Sequence, residues 1–290
     1  MTEPDGLHEF IERPDLDTPA MLVMLDGWID AGLGAETARA TLLRTLEPVT
    51  VARFDADRLL DHRARRPVMH LDDGVLTRLE WPSIELQAAA DADGNDLLLL
   101  VGAEPDHQWG AFSHAVVDLA LEFGSRIVVT LGSYPVPVPH TRPPRLACSA
   151  SSPELARFTA VHATVEVPAG VHAAIERRAA EVGLPAIGLW AQVPHYTATM
   201  PYPAAAAALI DTAAEVAALE LDAGELRRQA DVIRGRLDEL VRANPEHTEM
   251  VRQLEETWDA EAGGGGQLRM TSGDDLAAEV ERFLRDQGGA

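Results

Sequence analysis

The chain has 290 residues and a formal net charge of −23, and its composition is 46% hydrophobic and 24% charged. This length allows one large α/β domain or two small ones, and the hydrophobic content is too high for a disordered chain. The negative charge argues against binding to nucleic acid or to an anionic membrane surface, because both require a positive protein surface.

The cysteine content and the N-terminal segment predict the compartment. Cys148 is the only cysteine, so no disulfide framework is available and a reducing cytoplasm is expected. The start, "MTEPDGLHEFIERPDLD", is acidic and lacks the basic and apolar regions of a signal peptide. No apolar run reaches the roughly 20 residues that span a bilayer. We therefore expect a soluble cytoplasmic protein.

Apolar runs of strand length alternate with helical patterns through most of the chain. The runs predict strands at 20–26, 49–54, 96–102, 126–132 and 185–193. Helical spacing predicts helices at 35–46, 111–124, 170–183 and 202–222. Between 75 and 87, two shorter segments predict a hairpin that turns at Trp81-Pro82. Unbroken apolar runs are typical of strands covered on both faces, so the predicted class is α/β with a mainly parallel sheet and helices on both faces.

The pattern changes after Gly224, where two amphipathic helices follow each other. Apolar residues recur at helical spacing, and Asn244-Pro245 ends the first helix and caps the second. We expect a helical hairpin whose apolar faces are buried on the α/β body or on another subunit. A flexible "GGGG" linker and a last helix from Ser272 follow. The predicted organisation is an N-terminal tail (1–17), an α/β domain (18–222), a helical hairpin appendage (223–262), and a linker with a terminal helix (263–290).

The first candidate site is "LDGWIDAGLGAET" (25–37), a predicted strand, glycine-rich turn and helix start. Backbone N–H groups at such a turn can bind phosphate. The segment matches neither phosphate-loop motif, however, and Asp26 and Asp30 would repel an anion. We favour the interpretation that Asp30 or its neighbours cap the helix and that the glycines allow close packing.

The second candidate is "GSYPVPVPHTRPP" (132–144), which contains five prolines. Proline fixes φ and removes a hydrogen-bond donor, so this segment is expected to leave its strand as a stiff extended arm. The arm would deliver His140, Thr141 and Arg142 to a defined place. A second "VPH" motif ends at His195, and Tyr196 follows it.

Six polar residues follow predicted strands and map to the carboxyl edge of the sheet, where open α/β folds bind ligands. They form the candidate ligand pocket: Asp30, Glu104, His140, Arg142, His195 and Tyr196. Histidines near carboxylates suit acid/base chemistry or a metal, but they also bond to backbone groups, and Arg142 suits an internal ion pair. The spacings match no zinc signature, so neither a metal nor a cofactor is expected. Cys148 is interpreted as a small buried hydrophobe, and no catalytic residue is assigned.

Three segments, "DGWIDAGLGAETA", "GSYPVPVPHTRPP" and "GLPAIGLWAQVPHY", resemble the proteasome assembly chaperone 2 family, in its actinobacterial branch of uncharacterised proteins. The resemblance runs over nearly the whole chain, including "ELVRANPEHTEMVRQLEETWDA" (239–260). It implies a fold like that of purine nucleoside phosphorylases and peptidyl-tRNA hydrolases, and self-association, with which a trimer is consistent. It supplies no catalytic motif. Eukaryotic members assist assembly of proteasome α-rings, partly through a C-terminal hydrophobic-Tyr-X tail, from which the ending "RDQGGA" departs.

Two functions from different classes follow. The first is a non-enzymatic, homo-oligomeric chaperone or assembly factor that contacts its own copies and a proteasome-related or other protein partner. The alternative is nucleoside phosphorylase- or hydrolase-like binding or hydrolysis of a small molecule at the carboxyl edge of the sheet. In the first case His140 and Arg142 hold the arm in place, and in the second they contact a ligand. The first interpretation is slightly favoured.

Overall fold

The computed structural model describes residues 6–27, 29–161 and 164–263. Within them the fold is mixed α/β, with an eight-stranded sheet, a separate two-stranded sheet and C-terminal helices, which confirms the predicted class. The strands are β1 (His8–Phe10), β2 (Ala20–Asp26), β3 (Val49–Phe54), β4 (Val68–Asp72), β5 (Val75–Glu80), β6 (Ile84–Ala90), β7 (Asp96–Ala103), β8 (Ile127–Val136), β9 (Leu146–Ala150) and β10 (Ala186–Pro194). The helices are α1 (Gly34–Leu46), α2 (Ala56–Leu59), α3 (Trp109–Glu122), α4 (Pro153–Ala156), α5 (Val171–Glu181), α6 (Pro203–Ala217), α7 (Gly224–Arg242) and α8 (Pro245–Gly263).

The chain forms two compact units, of which the first comprises the described parts of 1–28, 46–128 and 169–186. Its strands lie in the order β1-β3-β6-β7-β2. β2 and β7 pair in parallel, whereas β1–β3, β3–β6 and β6–β7 are antiparallel. β1 belongs to the segment predicted as a tail. The core is largely aliphatic and includes residues of β2, β7, α3 and α5, because these elements have the continuous or helically spaced apolar runs.

The hairpin of the first unit differs from the prediction. β4 and β5 pair around Asp73-Gly74, both with positive φ, whereas Trp81-Pro82 lies between β5 and β6, which belong to different sheets. Asp-Gly is the dipeptide that a two-residue hairpin turn with positive φ at both positions favours. The predicted turn at Trp81-Pro82 was therefore wrong, and the hairpin turns at Asp73-Gly74 instead.

The second unit comprises the described parts of 29–45, 129–168 and 187–290. Its strands lie in the order β8-β10-β9, and β9 pairs antiparallel with β10. β8 continues to Val136, beyond the predicted end at Gly132, and includes Pro135. The stiff segment thus starts later than expected. We use the name arm for residues 137–145, which connect β8 to β9 and lie in neither helix nor strand.

Helices α6, α7 and α8 complete the second unit. α6 ends at Ala217, earlier than predicted, because Ala218 adopts a left-handed conformation with φ of 47°. α7 packs against α6 and α8, so α7 and α8 form the predicted helical hairpin. The Asn244 side chain accepts a hydrogen bond from the Glu246 N–H at 2.9 Å, which confirms the cap. The linker beyond Gly263 and the helix predicted from Ser272 lie outside the described residues, and the predicted domain boundaries remain predictions.

Candidate functional site

In the second unit, Asp30 is hydrogen-bonded to the backbone at the start of α1 and to the side chain of Ser133. Its carboxylate accepts hydrogen bonds from the N–H groups of Ala35 (2.8 Å) and Glu36 (3.0 Å), at the start of α1. The Ser133 hydroxyl donates to it as well, at 2.6 Å. Burial raises the pKa of the Asp30 carboxyl, and these hydrogen bonds oppose the rise. The capping interpretation is confirmed.

The two glycines beside Asp30 sit in close contacts. Gly32 has φ of 64°, and a Cβ there would lie 2.7 Å from the Tyr202 Cβ. A Cβ on Gly34 would lie 2.9 Å from the Ser133 Oγ. Both positions therefore require glycine for packing, as the sequence suggested.

Glu104 follows β7 in the first unit, whereas the other five candidate residues belong to the second unit. Its carboxylate is buried and accepts a hydrogen bond from the Val171 N–H at 2.7 Å, at the first residue of α5. Burial raises the pKa of this carboxyl. Glu104 therefore caps the N-terminus of α5, although it is distant from this helix in sequence.

His140 links the arm to the short 3-10 helix that follows β10 (His195–Thr197) and to the helical hairpin. Its side chain is 1% exposed. The Tyr196 Oη lies 2.8 Å from the His140 N–H, which donates to it, and 2.7 Å from the ring Nδ1. The ring Nε2 lies 3.2 Å from an Asp238 carboxylate oxygen on α7.

These partners determine the protonation of His140. Because the Tyr196 oxygen accepts from the backbone N–H, its hydroxyl proton is free to donate to Nδ1, and Nε2–H donates to Asp238. Burial lowers the pKa of the imidazole, and Asp238 opposes this shift. The ring is therefore neutral at pH 7, and both of its nitrogens have partners.

Arg142 and Thr141 bind the arm to α8. The Arg142 guanidinium donates to both carboxylate oxygens of Asp259, at 2.9 and 2.7 Å, and to Glu255 at 3.1 Å. Glu255 also accepts from the Thr141 hydroxyl. Arg142 holds the pKa of the Asp259 carboxyl below its usual range. The arginine thus forms an internal ion pair, as its residue type and the acidic composition suggested.

Arg145, at the end of the arm, adds a third contact to α8. Its guanidinium lies 3.7 Å from the centre of the Trp258 ring and donates to the Trp258 carbonyl at 3.1 Å. It also pairs with Glu261 at 2.9 Å. Bidentate, stacked contacts of this kind are specific to arginine, which is consistent with a chain whose basic residues are all arginine.

His195 makes fewer contacts with the other candidate pocket residues than we expected. Its ring meets the Tyr196 ring edge-on, with centroids 5.2 Å apart. Its Nδ1 is buried and has no hydrogen-bond partner within the part of the chain that the structure describes. Of the six candidates, His140 and Tyr196 are bonded to each other, His195 contacts Tyr196, Arg142 lies two residues from His140 on the same arm, and Asp30 and Glu104 act as caps elsewhere.

The sequence reasoning missed the acidic half of this site. Asp238, Glu255 and Asp259 lie on the helical hairpin, and Trp258 and Glu261 complete the contacts. Glu255 and Asp259 are four residues apart, so they share one face of α8. This spacing of two carboxylates on a predicted helix, together with Arg142 and Arg145 on a stiff segment, could have indicated the ion pairs from the sequence. Among the described residues, no cluster of three or more His, Cys, Asp or Glu side chains suits a metal ion.

A substitution tests whether the arm holds α8. We expect Arg142→Ala to increase hydrogen exchange of α8 amides by about threefold to tenfold, since it removes three charge-assisted hydrogen bonds that are partly screened by solvent. Arg252→Ala is the matched control, because the ion pairs of Arg252 within the described part of the chain are with Glu249 and Glu256, both on α8 itself. Equal exchange in the two variants would show that the arm does not anchor the helix.

A family model and several solved structures are similar to this chain. The model of the PAC2 family matches residues 24–241. A protein of unknown function from Mycobacterium tuberculosis is 34% identical, with a TM-score of 0.84, and the match covers 99% of this chain and 98% of that one. A PAC2 family protein from Streptomyces avermitilis is 33% identical, with a TM-score of 0.72 and coverage of 80% and 99%.

A further solved structure has a name that states a role. It is a proteasome-assembly chaperone homologue from M. tuberculosis, 29% identical, with a TM-score of 0.74 and coverage of 80% of this chain and 99% of that one. No curated protein matches the sequence. The match to the family model spans well over half of the chain, and it includes β7, the arm, β10 and most of α7. The chain belongs to the PAC2 family.

Proposed function

We propose that this protein is a non-enzymatic, homo-oligomeric assembly factor, a chaperone that holds a protein partner during assembly. One observation carries the proposal. His140, Arg142 and Tyr196, which would contact a ligand in the alternative function, are bonded to one another or to carboxylates of the helical hairpin. Their hydrogen-bonding capacity is used for internal structure.

The comparisons support the same class of function. The chain is a PAC2 family member, and the M. tuberculosis structure that shares 29% of its residues is named as a proteasome-assembly chaperone homologue. We propose that the partners are other copies of this chain, with a trimer as the expected form, and a proteasome-related or other protein. Nucleic acid and membranes are not proposed as partners, since the net charge is −23.

We further propose that the protein acts in the cytoplasm. The sequence contains one cysteine, Cys148, which is unpaired. Among the described residues, no helix combines the length and the apolar character that crossing a bilayer requires.

The assembly role has a direct test. We expect the purified protein to raise the yield or rate of particle formation when separately purified α- and β-type proteasome subunits from the same cell are mixed, as measured by native gel and light scattering. In parallel, affinity capture from the native cell should recover a defined protein partner. If subunit assembly is unchanged and capture repeatedly recovers only this protein, the assembly role is refuted.

A small-molecule site is the second candidate, and one observation favours it. The buried Nδ1 of His195, beside Tyr196, has no partner within the described residues, and a ligand group could fill that position. Under the leading proposal, no nucleoside and no inorganic phosphate shifts the melting temperature of the wild type. A shift in the wild type that is absent in His140→Ala but present in Arg252→Ala would instead support the ligand site.

A further inference from the structure

Helix α8 of the second unit is held on the arm mainly by charged side chains. Its side-chain carboxylates accept hydrogen bonds from Thr141, Arg142 and Arg145. The pair of Arg142 and Asp259 is partly exposed, at 29% and 52%. Among the α8 side chains that the structure describes, only Val251 is buried. Partly exposed ion pairs contribute little free energy, so a modest free energy detaches α8 from the arm.

The connection between α7 and α8 is short. α7 ends at Arg242 and α8 begins at Pro245, so Ala243 and Asn244 alone connect the two helices. Ala243 still has helical backbone angles, with φ of −73° and ψ of −14°. Asn244 precedes a proline, which disfavours a helical conformation. A change in the backbone angles of these two residues is enough to redirect α8, and short connections of this kind permit the exchange of a terminal element between identical copies.

The arm binds a specific set of side chains. Arg142 contacts two carboxylates one helical turn apart, and Arg145 contacts an aromatic ring and a third carboxylate. The residues of α8 that provide these groups are Glu255, Trp258, Asp259 and Glu261. The α8 helix of a second copy carries the same residues at the same spacing, so it makes the same contacts. An unrelated acidic helix would have to match all four positions, which favours a second copy as the occupant.

The position of Leu240 favours an exchange between copies. When α8 of one copy packs on the arm and the α7 helix of another, its two-residue connection spans at most about 10 Å. The carboxyl ends of the two α7 helices must then lie side by side. Leu240 is near this end of α7 and is 64% exposed in the single chain. The exchange therefore places an exposed apolar side chain of each copy where the two copies meet.

We propose that α8 is exchanged between copies of this chain, so that the arm of one copy binds the α8 helix of another. The contacts are those of the single chain, and the contact between the carboxyl ends of the α7 helices is added to them. Each arm is then completed by carboxylates of a neighbouring copy, and the exchange closes around two or three copies. The inference rests on the proposed homo-oligomer and names the element that links the copies.

The test reverses the charges of one contact in the full chain. In Arg142→Glu and in Asp259→Arg, like charges oppose each other between the arm and α8. We expect each variant alone to associate at least about tenfold more weakly than the wild type, measured as mass against concentration by size exclusion with light scattering. When the two variants are co-expressed, opposite charges face each other between copies but not within one copy. They should therefore form oligomers that contain both chains, which native mass spectrometry identifies.

The matched control is the double variant Arg142→Glu/Asp259→Arg, in which every arm and every α8 again carry opposite charges. It should associate like the wild type. Circular dichroism of all three variants shows whether the reversed charges are compatible with folding.

A second readout leaves the pair of Arg142 and Asp259 unchanged. A photo-crosslinking amino acid at Trp258, whose ring centre lies 3.7 Å from the Arg145 guanidinium carbon, should link α8 to the arm. In the exchanged form, the crosslinked product contains two or more copies on a denaturing gel. If the wild type is oligomeric but the crosslinks stay within single copies and the co-expressed variants do not combine, α8 is not exchanged and another surface forms the homo-oligomer. A monomeric wild type refutes both proposals.

Discussion

Replacing Gly102 with alanine is expected to lower the free energy of unfolding by about 4 kcal/mol. Gly102 lies in β7 with φ of 118°, a conformation that L side chains rarely adopt. A Cβ there would lie 2.0 Å from the Ser83 carbonyl oxygen. This oxygen is a backbone atom in the connection between β5 and β6, so a rotamer change cannot relieve the clash.

A matched control separates the cost of the backbone conformation from the cost of the clash with Ser83. Gly94 also has positive φ, 84°, but a Cβ there would meet no atom of the described residues within 4 Å. Gly94→Ala should therefore cost only about 1 kcal/mol, the backbone strain alone. Chemical denaturation followed by circular dichroism measures both values. Similar losses for the two variants would mean that the Ser83 contact yields easily.

The second large effect is a loss of stability in acid that originates at His172. This residue of α5 is 3% exposed, and its Nε2 has no hydrogen-bond partner within the described residues. Burial lowers the pKa of the imidazole from 6.5 to about 4. The unfolded chain therefore binds more protons than the folded chain between these two values. Stability is fully present above pH 6.5 and is lost as the pH falls toward 4, by about 3 kcal/mol in total.

The measurement is the free energy of unfolding at pH 7, 6, 5 and 4, for the wild type and for His172→Leu. We expect the difference between the two proteins to grow by up to about 1.4 kcal/mol for each pH unit through the window. The carboxyls of Asp30 and Glu104 act in the opposite direction, because burial raises their pKa values, but both proteins share them. Parallel pH profiles for wild type and variant would exclude His172 as the origin.

The arm illustrates how an apparent binding motif can serve internal structure. His140, Thr141 and Arg142 lie together at a defined place, as the prolines predicted, but each of them contacts the helical hairpin or the 3-10 helix after β10. In the proposed assembly factor, these contacts keep α7 and α8 in position. The same contacts would have to break, or to enclose the space around His195, if a small ligand were bound.

Several features of this protein were predictable from its residues because they depend on local chemistry. Unbroken apolar runs identified β2, β3, β7 and β10, and helical spacing identified α1, α3 and α5. Asn244-Pro245 marked the turn of the helical hairpin, and the Asp30 cap followed from its position before a helix. The family resemblance rested on three short segments and was confirmed over residues 24–241.

The partners across long sequence distances could not be predicted in this way. Arg142 and Asp259 are 117 residues apart, and His140 and Asp238 are 98 apart, so no local pattern joins them. Likewise, Glu104 caps α5 from 67 residues away. Local propensity determined which segments are strands, helices and stiff loops. Only the tertiary structure decided which side chains meet, because charged and polar groups take whichever partner the packing of the apolar core places within hydrogen-bonding distance.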